Sequence, residues 1–406
     1  MRSPSDRRQG AVGANADANA EVTMAYSIRK RLVAPPAAET EKIHVLGLPN
    51  ARFYPDREID AIVQEGLLAV DRELALLGSN PDGALPPANL LAISGGGDKG
   101  AFGAGLMVGW TASGQRPEFK LVTGVSTGAL IAPFAFLGPS RDEQLRSVFT
   151  GFTQENIFIP RWLTSLLYDD ALADTTPLFS LISKFVNAEM LADIAREYSR
   201  GRLLFIGTTN IDLQRPVIWN MGAIAASGHP GALDLVRRIL LASAAIPGAF
   251  PPVLIKVENG GQAYNEMHVD GGTIAQAFLY PPALELEREA ACRGIRRERN
   301  AYVVRNGRFD PDWGTTQRSF LSITQRTIDA MIHYSGISDA IRIHADAQRD
   351  GVRFHLAYIG TDFQFTPLRK FDQAYMQALF DYAFQKARHG YSWVTSISDA
   401  YGRRAV

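Results

Sequence analysis

An α/β fold, with a mainly parallel sheet whose strands are linked by helices, is predicted by three observations. Short β-rich runs alternate with longer helical patterns beyond residue 42. The order strand, glycine turn, helix occurs twice in close succession, and neither an internal repeat nor a Pro/Gly/Ser-rich linker breaks the remainder. The third observation makes 42–406 one continuous domain.

The first 41 residues precede that domain as an expected tail. They are rich in Ala, Asn, Asp, Pro and Arg, offer little apolar surface to bury, and are expected to stay disordered. Arg7 and Arg8 look like the opening of an export signal, but the stretch after them holds Asn15, Asp17, Asn19 and Glu21 where an apolar core would be needed. No run reaches the roughly 18 apolar residues that span a bilayer. The expectation is a cytoplasmic protein, or one held peripherally at a membrane. Arg29, Lys30 and Arg31 read as a solvated charge cluster rather than a lipid anchor.

The elements then follow in order. Asn89 to Ser94 is an apolar run ending in glycines, and Ala101 to Trp110 places Leu106, Met107 and Trp110 at helical spacing. Lys120 to Thr123 leads into Gly124, and the apolar stretch Ala129 to Leu137 repeats the pattern. Arg202 to Thr208 and Pro216 to Trp219 read as strands, and Leu233 to Ala245 as a buried helix stopped at Ile246-Pro247. Val253 to Val257, the turn Asn259-Gly260-Gly261 and Ala263 to Val269 form a hairpin that delivers the chain to Asp270. Tyr302 to Arg305 and Phe354 to Ile359 are further strands around a helical region from Ser319 to Gln348, and a last helix covers Asp372 to Arg388.

Composition narrows the function. With 406 residues, 46% of them hydrophobic, the chain can bury a large core. Lys plus Arg equal Asp plus Glu at 42 each, so no global field favours nucleic acid, and any membrane contact must be local. Cys292 is the single cysteine, which excludes intramolecular disulfides and multi-cysteine metal sites.

Three motifs carry chemistry. Gly124-Val125-Ser126-Thr127-Gly128 lies between a predicted strand and a predicted apolar helix, the context in which a serine hydroxyl is projected from a sharp turn. Ser94-Gly95-Gly96-Gly97-Asp98-Lys99-Gly100 sets three glycines together where backbone N–H groups can approach a developing oxyanion. Asp270-Gly271-Gly272 follows a predicted strand, with small neighbours that let another side chain reach the carboxylate. Gly95, Gly97 and Gly100 also satisfy GxGxxG, but the acidic residue that should end the next strand is missing. The Walker pattern fails because Gly100 follows Lys99.

In this order the three motifs resemble those of the patatin-like phospholipases. Thr208-Thr209-Asn210-Ile211-Asp212 and Ala242-Ser243-Ala244-Ala245-Ile246-Pro247 look like intervening segments of the same family, and the resemblance covers about residues 89–284. It implies a three-layer α/β/α sandwich with a mainly parallel central sheet. Ser126 would be the nucleophile, Asp270 its base, and Gly95, Gly96 and Gly97 an oxyanion hole, supported by Lys99, Gly100, Gly124, Gly128, Gly271 and Gly272. The implied activity is hydrolysis of acyl esters in phospholipids or other acyl lipids, with no metal or other cofactor. The stretch 285–406 looks like the tail of bacterial members and carries no motif with a catalytic role.

Two other readings compete. A Ser-His-Asp esterase of the α/β-hydrolase type also uses GxSxG, and His333, His344, His355 and His389 all follow Asp270, while His268 shares its strand face. A lipid-binding protein on the same fold would keep the motifs without turnover. Separately, the apolar stretch at 157–168, with Trp162, Leu166 and Tyr168, suits a lid or an interfacial patch.

Overall fold

The computed structural model describes residues 31–78, 85–151, 159–160 and 173–402. The apolar stretch considered as a lid falls almost wholly outside these residues, as do Arg29, Lys30 and the tail up to residue 30. Of the expected tail, residues 31–41 are described, and they lie against the body: Pro35 and Thr40 are buried and Arg31 pairs with Asp212.

Nine strands make one mixed sheet: β1 (Arg52–Phe53), β2 (Ala88–Ile93), β3 (Leu121–Val125), β4 (Leu203–Asn210), β5 (Arg215–Asn220), β6 (Val253–Asn259), β7 (Gln262–Asp270), β8 (Arg299–Arg305) and β9 (Arg353–Tyr358). Their order is β1-β5-β4-β3-β2-β8-β9, with β7 on β4 and β6 on β7. The neighbours from β4 through β3, β2 and β8 to β9 are parallel, and the pairs made by β1, β5, β6 and β7 are antiparallel.

The central strands read as continuous apolar runs because both faces are covered, as parallel sheets require. Leu91 and Ile93 of β2 enter one core and Leu90 and Ala92 the other. On the first face lie α2 (Gly100–Ala112), α3 (Thr127–Leu137), α4 (Ala232–Ser243) and α6 (Gln373–Arg388). The second is covered by α1 (Ile59–Leu77) and α5 (Phe320–Arg349). This is a three-layer α/β/α sandwich, and every strand and helix named from the sequence is present within a few residues. A close contact between helices joins α2 to α6, where a Cβ on Gly105 would stand 2.2 Å from the Phe380 carbonyl oxygen. That approach ties the C-terminal helix to the one that follows the glycine loop.

The register explains how the motifs meet. β5 takes one edge of β4. Along the other edge, β3 pairs up to Val125 opposite Gly207, and β7 takes over with Asp270 opposite Thr208. A parallel strand and an antiparallel strand therefore abut end to end at Gly207–Thr208, and each delivers its last residue to the same seam. β2 and β8, parallel to β3, end at the same rim, where open α/β sheets bind ligands.

Candidate active site

Ser126 occupies the turn between β3 and α3 with φ 56° and ψ −126°. A non-glycine residue in this region carries strain of about 1–3 kcal/mol, which persists only where its surroundings hold it. Two features do so here. The Ser126 N–H donates to Ser243 Oγ at 3.0 Å, and that hydroxyl donates to the Gly207 carbonyl at 2.7 Å, locking the elbow to β4. Gly128 allows α3 to approach β2, since a Cβ there would fall 2.2 Å from the Ile93 carbonyl oxygen. Gly124 is constrained in the same way, by the Gly128 carbonyl.

Ser126 Oγ donates to Asp270 Oδ2 at 2.6 Å across 144 positions of sequence, and Asp270 Oδ1 accepts the Gly272 N–H at 2.7 Å. Both side chains are buried. Burial pushes the Asp270 carboxyl from the ordinary 3.8 up to about 7, against the pull of the hydrogen bonds from Ser126 and Gly272. A carboxylate tuned to that range is a far better proton acceptor for an alcohol than an exposed one. Gly271 packs on β4, where a Cβ would meet the Gly207 carbonyl at 2.5 Å.

The glycine loop passes directly beside this pair: a Cβ on Gly95 would lie 3.1 Å from Ser126 Cβ. Not every amide of this loop is unpaired. The Gly95 N–H is already donated to the Gln276 carbonyl at 3.0 Å, because the loop is stitched to the segment after Asp270. Among the described residues no such backbone partner is recorded for Gly96 or Gly97, and Gly97 has φ 60°. Gly100 opens α2 against Thr127. Lys99 pairs with Asp312, Nζ to Oδ2 at 2.8 Å.

Three residues that the motifs did not indicate complete the frame. Ser243 has been described. Gln276 donates from Nε2 to the Gly272 carbonyl at 2.9 Å, joining the aspartate turn to the glycine loop. Asn306, which follows β8, donates from Nδ2 to the Ser94 carbonyl and from its N–H to Ser94 Oγ, both at 2.8 Å, and accepts the Gly103 N–H at 2.9 Å. The only sequence signal for Asn306 was a polar residue closing an apolar strand, which many loops share.

No histidine bonds to Ser126 or Asp270, and all seven lie within the described residues. His268 is fully buried with Thr208 Oγ1 at 3.0 Å and Glu266 Oε2 at 3.2 Å. Burial lowers its pKa and keeps it neutral, although Glu266 pulls the other way. Burial pushes the Glu266 carboxyl up, but Arg52 and His268 together hold it down at about 2. His355 stacks on Tyr302 and His344 packs edge-on against Phe354. These are structural histidines.

Beside Ser126 opens an apolar pocket walled by Leu130, Phe149, Leu178, Ile246, Phe250 and Phe371. Among the described residues there is no cluster of His, Cys, Asp and Glu that could hold a metal ion, and no helix is long and apolar enough to cross a membrane.

The fold and site together define a class: an α/β/α sandwich in which a strand-to-helix serine is bonded to a carboxylate beside a glycine loop. Residues 91–282 match the family model described as patatin-like phospholipase, so the chain carries a domain of that family. The domain supports lipid acyl hydrolase activity in general. Among solved structures the chain is similar to VipD from Legionella pneumophila at 13% identity, covering 75% of this chain and 67% of that one with a TM-score of 0.32. No curated protein matches.

Proposed function

We propose that the chain cleaves acyl ester bonds of phospholipids or related acyl lipids through an acyl-enzyme on Ser126, with Asp270 as base. The observation that carries the reading is the 2.6 Å hydrogen bond from Ser126 Oγ to Asp270 Oδ2, with Ser126 lining an apolar pocket. Ser126 Oγ attacks the ester carbonyl as its proton passes to Asp270, and the oxyanion is received by the amides of Gly96 and Gly97. Collapse expels the alcohol, which takes the proton from Asp270. Water then attacks the acyl-serine, giving its proton to Asp270, and Ser126 recovers that proton as the fatty acid leaves. The apolar walls accept the acyl chain while the polar portion of the lipid stays outside.

The test is product analysis by mass spectrometry on mixed phospholipids and short-chain nitrophenyl esters, comparing wild type with Ser126→Ala and Asp270→Asn. Free fatty acid should form only with wild type, and a fluorophosphonate should label Ser126. A folded Asp270→Asn variant with near-normal turnover removes Asp270 from the mechanism. Absence of both turnover and labelling in wild type would leave a lipid-binding protein on this fold.

A further inference from the structure

We propose that Phe371 limits the acyl group accepted at Ser126 to a few carbons, so that esters of short acyl chains are the preferred substrates. The inference rests on the hydrolase reading and adds the size of the acyl group to it. The apolar cavity beside Ser126 measures about 60 Å³, less than half of the about 150 Å³ that holds one benzene ring. By that measure only about two or three carbons fit beyond the ester carbonyl. A chain that outgrows such a pocket must push a wall aside or leave its methylenes in water, and one methylene too many costs about tenfold or more in discrimination.

Much of the wall is fixed. Phe149, Leu178 and Met376 come from helices and are buried in the main core. Phe371 is half-buried, lies in the turn before α6 and packs on Phe250, another wall residue. Its φ of 56° is in the left-handed region, which a bulky side chain avoids. Such an outlier persists only where its surroundings impose it, and it points to a use for the position. Contacts on both sides impose it here. The Phe371 N–H donates to Asp98 Oδ2 at 3.1 Å, and Asp372, which caps α6, also accepts the Leu368 N–H at 3.0 Å. Asp98 follows Gly97, so the glycine loop that borders Ser126 also fixes the backbone carrying this wall. Phe371 lies beyond the matched residues 91–282, in the part of the chain that holds no catalytic motif.

The experiment is hydrolysis of nitrophenyl acetate, butyrate and octanoate by the full chain, read as ratios of kcat/KM, which cancel any change in a step that the esters share. Wild type should favour butyrate over octanoate at least about tenfold. Phe371→Gly removes the ring and takes a positive φ without strain, so it should stay folded and raise the octanoate-to-butyrate ratio at least about tenfold. Phe371→Trp should move the preference the other way, from butyrate towards acetate, a reversal that mere loosening of the fold does not produce. Asp98→Ala, which frees the Phe371 N–H, should shift the ratio in the same direction as Phe371→Gly. A wild type that takes octanoate as well as butyrate, or variants whose ratios match wild type, overturn the proposal. Calorimetric titration of octanoic acid into Ser126→Ala, with and without Phe371→Gly, separates the length limit from the hydrolase reading. Binding at least about tenfold tighter in the double variant upholds the limit even where no ester is turned over, and equal affinities overturn it.

Discussion

Asp270 is the residue on which pH acts most directly. Its carboxyl is raised to about 7 because burial disfavours the charge, so the base form fills only as pH climbs through neutrality. The rate on a soluble ester should therefore rise with pH and level off above an inflection near 7; a profile flat from pH 5 to 9 would dissociate the rate from this carboxyl. The same shift has a stability sign. The folded state binds the proton more tightly than the unfolded state, so stability is full below the unfolded value of 3.8 and falls as pH rises towards 7, by at most about 1.4 kcal/mol per unit. Asp270→Asn removes the buried charge without changing shape. Its melting temperature should gain on wild type as pH goes from 5 to 8, and an equal difference at both ends would contradict the argument.

Elements bring the site together by where they end. β3 and β7 share one edge of β4 and stop head to head, which is why Ser126 and Asp270 meet although one strand is parallel to β4 and the other antiparallel. β8 ends beside them and supplies Asn306, which holds Ser94 at the start of the glycine loop through two hydrogen bonds and Gly103 of α2 through a third, and bonds to neither Ser126 nor Asp270. Asn306→Ala should thus loosen the amides of Gly96 and Gly97 while the apolar pocket stays as it is. The expected result is a fall in kcat of at least about tenfold with KM little changed, since donors displaced from the oxyanion act on the transition state rather than on binding. A variant whose KM rises while kcat holds would instead place Asn306 in substrate binding.

At the scale of the molecule, the segment that matches the family model is not closed upon itself. β2, which carries the glycine loop, has β8 along one edge, and α2 is seated on α6. Residues 285–406 thus supply a neighbour to both elements that flank the glycine loop, although they hold no motif of their own. A chain ended at residue 284 would expose the edge of β2 and the apolar face of α2, and should show no cooperative unfolding transition by circular dichroism. A sharp melt within a few degrees of the full chain would make the C-terminal part an appendage.

By itself the sequence determined the elements and the chemistry-bearing residues. Apolar runs, glycine turns and helical spacing are local signals, and a serine or an aspartate that closes a strand between small residues is legible one segment at a time. Only the tertiary structure decided which strand ends meet. Pairing along β4 is a long-range choice that aligned Ser126 with Asp270, and other contacts distant in sequence set the Gly95 amide against Gln276 and Lys99 against Asp312. It also raised Ser243 and Asn306 from ordinary polar residues to the supports of the site, because a hydrogen-bond partner distant in sequence leaves no mark on its neighbours in the chain.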